Sequence, residues 1–375
     1  MLGVFPLSAQ WRVDPPLIAP VLGFDSATQD RIILYDVSGD FTRELQFGNS
    51  LHRLWQFSPD GCRILFTLSS SPTSSRVYSA RLDGSDLREL IQADTSFGSW
   101  SAWEPQWSPD GRQIAFTLIQ WDELRGSQQI ASHRIAWVPA EGGAVEFVSN
   151  SGDEHHPRWS PDGQFLSYVA YEERVPGQNI YSTAEPNVTS DTRLREADLW
   201  VRSINDGTRY RLTNFPIGSV GTPAWSPDSD LIGFFFSPSA NVMQVWMIGN
   251  SPTAIPTQLS YDGVLGLDLT WLPDSTQMLI SARNMQNTRE NRLWRIPLQG
   301  NADVDAQQWT TDMEFRFADF PRFSPDGEWL AARSEYALIL EHISTYERLI
   351  LEGDFIGNTP PVWSPSAFTN EASCS

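Results

Sequence analysis

The chain has 375 residues, of which 40% are hydrophobic and 12% aromatic, so it can bury a large core and is not of the disordered class. Its 26 basic residues stand against 46 acidic ones, and the net charge of −20 argues against nucleic acid as a partner. All the basic residues are Arg, and the absence of Lys excludes Schiff-base chemistry and a phosphate-loop lysine. No apolar run has the length of a membrane-spanning helix, so we predict a protein that does not span a membrane.

The N-terminal segment 1–17 is predicted to be an extension outside the folded domain. Its sequence MLGVFPLSAQWRVDPP has no basic stretch at its start and only a short apolar run, so no clear signal peptide is present. The two cysteines, Cys62 and Cys374, lie far apart in the sequence, and we expect no structural disulfide between them. Two cysteines by themselves do not distinguish the cytoplasm from an oxidising compartment.

From residue 18 onward the chain is built of repeats. An aromatic residue followed by Ser-Pro-Asp, or a close variant, recurs about every 50 residues. The aromatic residues of the seven copies are Phe57, Trp107, Trp159, Trp225, Trp271, Phe323 and Trp363. Each complete repeat contains a strand that ends at the aromatic residue, a second strand after the turn, and a hairpin of two further strands.

The predicted hairpins follow one another along the chain with alternating apolar residues and a turn in the middle. They cover 31–45, 76–90, 133–149, 198–213, 244–260, 292–310 and 337–351. Four short antiparallel strands repeated at this period are typical of a β-propeller blade. The fold class is therefore all-β, with one propeller domain over 18–365 and a tail over 366–375.

The two ends of the repeat array predict how the ring closes. The hairpin 31–45 precedes the first turn, and the last turn, at Trp363, has no hairpin after it. A final strand that pairs with a strand in 18–24 would complete a blade shared by both ends of the chain and remove the exposed sheet edges. The count is then six continuous blades and one shared blade, seven in all; six blades with loose ends is the alternative.

These repeats resemble the WD-like propeller repeats of the TolB family, which also occur in tricorn protease and in the propellers of prolyl-oligopeptidase-like peptidases. The resemblance covers residues 18–365 and implies the fold much more strongly than a function. Because the repeats occupy almost all of the 375 residues, we expect neither the small α/β domain of TolB nor a hydrolase domain beside the propeller. By resemblance, the protein is expected in the periplasm of a bacterium or outside the cell, with the cytoplasm left open.

The Ser-Pro-Asp-Gly turn is predicted to be structural rather than catalytic. Ser, Pro and Gly suit the first, second and fourth positions of a type I turn. In the seventh copy Ser366 replaces the Asp, and three copies lack the Gly. Because the aspartates recur around the ring and are dispensable, we interpret them as turn residues, and the preceding aromatic rings as wedges between blades.

Function is expected on the opposite face, where the unrepeated segments 91–103, 119–132, 171–196 and 311–319 lie. Just before the first strand of the repeats, at the predicted mouth of the central channel, stand charged or titratable residues, which we name the mouth set: Arg53, Glu104, His155, His156, Asp268 and Asp319. Aromatic residues predicted on the same loop face are Trp100, Trp103, Trp121 and Tyr171. Both groups are predicted binding residues.

No metal site and no cofactor are predicted. The stretch Asp153-Glu154-His155-His156 contains metal-ligand residue types, but adjacent side chains of an extended chain point in opposite directions, so both His residues cannot readily reach one ion. The sequence contains no nucleophile elbow, no His-Glu-x-x-His and no phosphate-binding glycine loop.

The leading hypothesis is therefore a non-enzymatic scaffold that binds a protein or peptide, as a monomer or as part of a larger complex. Two alternatives stay open. One is a metal-assisted hydrolase or lyase that uses His155, His156, Asp268 and Asp319, and the other is an accessory propeller of a separate peptidase.

Overall fold

The computed structural model describes residues 15–71, 73–91, 98–124, 127–148, 153–171, 197–215, 218–239, 242–283, 285, 290–312, 315–334, 337–352 and 359–374. The strands are β1 (Val21–Asp25), β2 (Ile32–Asp36), β3 (Phe41–Leu45), β4 (Leu51–Phe57), β5 (Arg63–Ser69), β6 (Ser75–Arg81), β7 (Arg88–Glu89), β8 (Ser99–Trp107), β9 (Gln113–Leu124), β10 (Ser127–Pro139), β11 (Glu146–Phe147), β12 (Glu154–Trp159), β13 (Phe165–Tyr171), β14 (Ala197–Ser203), β15 (Arg209–Arg211), β16 (Ser219–Val220), β17 (Ala224–Trp225), β18 (Leu231–Ser239), β19 (Val242–Gly249), β20 (Thr257–Gln258), β21 (Leu265–Trp271), β22 (Gln277–Arg283), β23 (Arg292–Pro297), β24 (Gln307–Gln308), β25 (Asp319–Phe323), β26 (Trp329–Arg333), β27 (Ala337–His342), β28 (Arg348–Glu352) and β29 (Val362–Trp363). A short helix, α1 (Ala302–Asp305), precedes β24, and a 3-10 turn covers Glu371–Ser373.

The strands form a β-propeller of antiparallel sheets. Four sheets contain consecutive strands, β4–β7, β8–β11, β21–β24 and β25–β28. A fifth, the closing sheet, joins β29 to β1–β3, with Leu22 opposite Trp363. The predicted pairing of the two chain ends in one sheet is therefore confirmed.

The remaining strands, β12–β20, are connected as one nine-stranded sheet. Its two halves meet where β14 and β16 pair in parallel through a single residue pair, Ala197 and Ser219. Within each half the pairing is antiparallel. Each predicted hairpin is confirmed as an antiparallel strand pair.

The hydrophobic core lies between neighbouring sheets and not inside one of them. Each cluster of buried apolar side chains draws on two successive sheets, or on the two halves of the nine-stranded sheet. Leu54 and Phe66, for example, pack with Ile32 of the closing sheet. Because a sheet in this fold is covered on both of its faces, second strands such as β5 and β18 contain continuous runs of buried residues.

The Ser-Pro-Asp-Gly segment forms the predicted turn. In the copy after β8, the Gly111 N–H donates to the Ser108 carbonyl over 2.9 Å, and Gly111 has a φ of +72°. The Asp110 carboxylate accepts from the Ser108 hydroxyl at 2.5 Å and from the Arg112 N–H at 3.0 Å. Asp110 thus holds the turn closed, which supports a structural role for this residue.

The aromatic residue before each turn also connects neighbouring sheets. The indole N–H groups of Trp225, Trp271 and Trp363 each donate to a backbone carbonyl in the preceding sheet or half-sheet, at 3.1, 2.9 and 2.9 Å. A buried indole N–H is usually satisfied by such an acceptor. These rings therefore lie between sheets, as predicted.

One prediction about the chain ends is wrong. Cys62, in the turn between β4 and β5, forms a disulfide with Cys374, at a Cα–Cα distance of 5.3 Å. The sequence separation of 312 residues made this pairing look remote, but ring closure brings the tail onto the turn. Phe368 of the tail is buried against Gly61, and Glu371 forms an ion pair of 2.7 Å with the buried Arg43.

The segment 119–132 is not an irregular loop, contrary to expectation. Its described residues belong to β9 and β10, which pair antiparallel, with Ile119 opposite His133 and Trp121 opposite Ile130. Residues 99–103, from the expected segment 91–103, likewise belong to β8 and pair with β9. The expected loop 171–196 lies, apart from Tyr171, outside the described residues. Among the described helices, none has both the length and the apolar character required to cross a membrane.

Candidate functional site

The strand that begins each unit is bent shortly before its aromatic residue. β8 and β12 change register around Glu104 and His156, which have φ values of +52° and +57°. Each of these residues precedes a proline, which disfavours the right-handed helical region for the residue before it. Phe320 in β25 has the same environment and a φ of +50°. Such bulges re-aim side chains, so the bend determines where these residues of successive sheets point.

Glu104 and His156 meet across two neighbouring sheets. The Glu104 carboxylate lies 2.8 Å from His156 Nδ1 and 3.4 Å from the Arg158 guanidinium. Burial alone would raise the pKa of Glu104, but the positive charge of Arg158 and the hydrogen bond with His156 lower it to about 2. Glu104 is therefore an anion at neutral pH, and His156 remains one-third exposed beside it, with 34% of its side chain accessible.

The other acidic residues of the mouth set are paired with arginines. Arg322 donates to Asp268 of the preceding sheet, just as Arg158 does to Glu104. Arg333 holds Asp319 by two hydrogen bonds of 2.8 and 2.6 Å. Burial raises the pKa of Asp319, Arg333 opposes that rise, and the charge of Asp268 adds to it. The negative charges of Asp268 and Asp319 are therefore close enough to repel each other.

Arg53 lies between two indole rings. Its guanidinium carbon is 4.3 Å from the ring centroids of both Trp55 and Trp103, and the two indoles meet edge to face at 5.3 Å. Trp103 keeps 37% of its surface exposed. Burial lowers the pKa of Arg53, while the charges of Asp25 and Glu104 raise it.

Asp25, at the end of β1, is a buried carboxyl that sequence reasoning missed. It accepts from the Leu54 N–H at 2.6 Å and from the Thr359 hydroxyl at 2.8 Å. Burial raises the pKa of Asp25 to about 7, although both hydrogen bonds and the charge of Arg53 oppose the rise. Nothing in the repeat pattern distinguishes Asp25 from an ordinary strand-end residue.

His155 belongs to a second cluster, which lies beside the Glu104–His156 pair, since the rings of His155 and His156 are 5.9 Å apart. His155 Nε2 is 3.0 Å from Asp153 Oδ1, and the ring of His133 stacks obliquely on His155 at 4.1 Å. The Tyr171 ring meets His155 edge-on at 5.4 Å. His133, Asp153 and His155 offer three ligand atoms within 4.8 Å of one another, and these three residues could hold a metal ion. Sequence reasoning missed His133 because it is contributed by the preceding sheet.

The structure separates the four predicted loop-face aromatics. Trp103 is exposed, and Tyr171 ends β13 in a partly buried position. Trp121 is partly buried in β9, where its indole N–H donates to the Ser101 hydroxyl at 2.9 Å. Trp100, by contrast, is only 1% exposed, because its ring packs in the core between sheets with Arg76 stacked on it at 3.8 Å; a role of Trp100 in binding stays a prediction.

Each of the four residues considered for catalysis is paired with a residue outside this group of four. His156 pairs with Glu104, Asp268 with Arg322, and Asp319 with Arg333, while His155 faces Asp153.

No protein-family model matches this chain. Two curated proteins show partial sequence similarity. The uncharacterized peptidase YuxL of Bacillus subtilis is 29% identical over 146 residues, which cover 39% of this chain and 19% of that protein. The uncharacterized protein Atu1656 of Agrobacterium fabrum is 28% identical over 140 residues, 36% of this chain and 45% of that protein. The matched part of the chain spans less than half the length of either relative.

Solved structures give the wider comparison. Oligogalacturonate lyase from Vibrio parahaemolyticus aligns over 88% of this chain and 93% of its own, with a TM-score of 0.57 and 12% identity. Prolyl oligopeptidase B from Galerina marginata aligns over 80% of this chain and 43% of its own, with a TM-score of 0.53 and 11% identity. TolB from Acinetobacter baumannii aligns over 92% of this chain and 66% of its own, with a TM-score of 0.49 and 15% identity.

At these identities the likeness establishes the fold and no activity. The chain is a β-propeller whose structural neighbours include TolB, oligogalacturonate lyase and prolyl oligopeptidase propellers.

Proposed function

We propose that this propeller is a non-enzymatic scaffold that binds a protein or peptide through the face that carries the mouth set. The observation that carries the proposal is the Arg53–Trp103 pair. An indole with 37% of its surface exposed is stacked on a guanidinium at 4.3 Å, next to the ionised Glu104. Trp and Arg dominate the binding energy of many protein interfaces because they combine a large apolar area with polar edges.

The neighbours of this pair are suited to an extended peptide. Trp103 offers a flat apolar surface that Arg53 and Trp55 support from behind, so little side-chain freedom remains to be lost on binding. The partly exposed His156 ring, held by Glu104 at 2.8 Å, adds a polar contact at the same edge. An aromatic or aliphatic side chain on the indole, with polar peptide groups on His156, fits this set of contacts.

We also propose that the ring has seven blades and that residues 18–365 form a single propeller domain. In support, among the described residues the one strand pairing between the two halves of the nine-stranded sheet is Ala197–Ser219. Each of its halves has its own first strand, hairpin and inter-sheet core. Divided there, it contributes two blades of the same type as the other sheets.

An extracytoplasmic location, in the periplasm or outside the cell, is part of the proposal. The Cys62–Cys374 disulfide supports it, because such bonds persist in oxidising compartments and are rare in a reducing cytoplasm. The net charge of −20 supports a partner other than nucleic acid, whether the scaffold acts as a monomer or within a larger complex.

Selection from a random-peptide phage library on the immobilised full chain tests the proposal. We expect enriched peptides whose binding falls at least about 10-fold in Trp103→Ala, the loss typical of an interface residue worth more than 1 kcal/mol. Tyr346→Ala is the matched control, since Tyr346 is 68% exposed but lies in the turn between β27 and β28, on the opposite predicted face. Enriched peptides that bind Trp103→Ala as well as the native chain, or no enrichment at all, would overturn the assignment.

A further inference from the structure

We propose that His133, Asp153 and His155 form a binding site for one divalent transition-metal ion, with Zn²⁺ as the representative ion and at least one coordination position left open. This site lies beside the proposed peptide-binding surface but shares no ligand residue with it. The inference goes beyond the scaffold function and does not depend on it.

The distances among the donor atoms match those of a metal site. Asp153 Oδ1 lies 3.0 Å from His155 Nε2 and 3.4 Å from His133 Nδ1, and all three ligand atoms fall within 4.8 Å of one another. Ligand atoms at the usual zinc distances of about 2.0 to 2.2 Å, in a tetrahedron, are about 3.3 to 3.6 Å apart. Small side-chain rotations therefore suffice to direct all three donors at one ion.

The backbone already holds the three residues in place. His133 in β10 and Asp153 just before β12 form a parallel β-bridge, which fixes the two neighbouring sheets to each other at this point. The Tyr171 N–H donates to the Asp153 carbonyl over 3.0 Å. Asp153 and His155 are two positions apart in extended chain, so their side chains point to the same side, while Glu154 between them accepts from the Ile135 N–H at 3.3 Å.

Side chains alternate in direction along an extended chain, which argued against one ion shared by His155 and His156. The same alternation places Asp153 and His155 on one side, where they can bind one ion. The missing third ligand comes from the preceding sheet, as His133. His156 turns away to Glu104, its Nδ1 being 2.8 Å from that carboxylate.

Burial and donor chemistry define the class of ion. His133 and Asp153 are 5% and 7% exposed, whereas the His155 side chain is 19% exposed, so the site opens to solvent on the His155 side. Two imidazole nitrogens and one carboxylate oxygen suit Zn²⁺ and related first-row divalent ions, whereas Mg²⁺ and Ca²⁺ prefer sets of oxygen ligands. Three protein ligands with an open fourth position are typical of sites that bind an exogenous ligand or water.

The alternative is a metal-free cluster in which Asp153 only hydrogen-bonds the two imidazoles. The full chain, stripped with a chelator and dialysed, is titrated with Zn²⁺ in a calorimeter and with Co²⁺ while its visible absorption is recorded. We expect one ion per chain and the visible bands of Co²⁺ bound to nitrogen ligands. His155→Gln and His133→Gln are each expected to weaken Zn²⁺ binding by more than about 100-fold, since loss of even an outer-shell partner costs about 10- to 100-fold.

His156→Gln is the matched control, because it removes the adjacent imidazole without removing a proposed ligand; its Zn²⁺ affinity should stay within about 3-fold of the native value, well below the loss expected for a ligand. Thermal unfolding of each variant shows whether it is folded. If His133→Gln does not fold, two other measurements decide the question: Zn²⁺ binding by His155→Gln, where the replaced side chain is partly exposed, and the Co²⁺ spectrum of the native chain.

Absence of a stoichiometric ion in the native chain would overturn the proposal, and so would equal affinity in the native chain and His155→Gln. A loss in His156→Gln as large as in His155→Gln would also overturn it, because the ligand set would then be different. Peptide binding that depends on Trp103 is measured separately, so failure of one proposal leaves the other intact.

Discussion

The disulfide between Cys62 and Cys374 should contribute strongly to stability, and its removal is the sharpest test of how the ring is closed. The bond spans 312 residues of sequence. In the chain-entropy description, a closed loop of this length lowers the entropy of the unfolded chain enough to stabilise the folded state by roughly 5 to 6 kcal/mol. The pairing of β1 with β29 does not substitute for it, because those hydrogen bonds are lost when the chain unfolds.

This free energy translates into a modest shift of the melting temperature in a chain of this size. With an unfolding entropy of about 2.1 cal/mol/K per residue, 375 residues give about 0.8 kcal/mol per degree. The full entropic effect then corresponds to about 7 °C, and the 2 to 4 kcal/mol more often measured for disulfides corresponds to about 3 to 5 °C. We therefore expect Cys62→Ser with Cys374→Ser to lower Tm by about 3 to 7 °C.

Tryptophan fluorescence during heating measures the change, since the chain has 16 Trp. The native chain should show the same fall when a reductant is added, and the double variant should show no further fall with reductant. An unchanged Tm in both experiments, or an equal effect of reductant on the double variant, would refute the reasoning.

Three further predictions concern single residues. Gly61→Ala should destabilise the fold by about 1 to 3 kcal/mol more than Gly111→Ala in chemical denaturation. Both glycines have φ above +70°, but only at Gly61 would the added Cβ clash with the buried Phe368 of the tail, whose own Cβ would be 2.3 Å away. Equal losses would contradict the packing of the tail. Glu104→Gln should cost up to about 3 kcal/mol at pH 7. The folded-state pKa of Glu104 is lowered from 4.5 to about 2, so this stabilisation is present above pH 4.5 and is lost as the pH falls to 2. The difference in unfolding free energy between the two proteins should therefore be about half as large at pH 3 as at pH 7. A constant difference would be inconsistent with an ionised Glu104. For Asp25 the effect of pH on stability has the opposite sign. The pKa of this carboxyl is raised from 3.8 in the unfolded chain to about 7 in the folded one. Ionisation therefore lowers the free energy of unfolding as the pH rises through that interval, by up to about 4 kcal/mol at pH 8. Asp25→Asn should remove much of this pH dependence, and an Asn variant with the same pH profile as the native chain would exclude Asp25 as its source.

The sequence alone determined the features that depend on near neighbours in the chain. The turn around Asp110, the hairpins and the strand that ends at each aromatic residue follow from turn chemistry and from alternation with a period of two, and the repeat imposes both again in each unit. Closure of the ring by β29 was also predictable, because the repeat array begins with a hairpin and ends with a turn.

The tertiary structure decided which distant side chains meet. Arg158 reaches Glu104 and His133 reaches Asp153 only because successive sheets face each other across an apolar interface, and a repeat pattern contains no information about unrepeated residues in neighbouring units. The same packing buries Trp100 and leaves Trp103 exposed, although both stand in one strand. Pairing of Cys62 with Cys374 likewise depends on closure of the ring, which brings together residues 312 positions apart in the sequence.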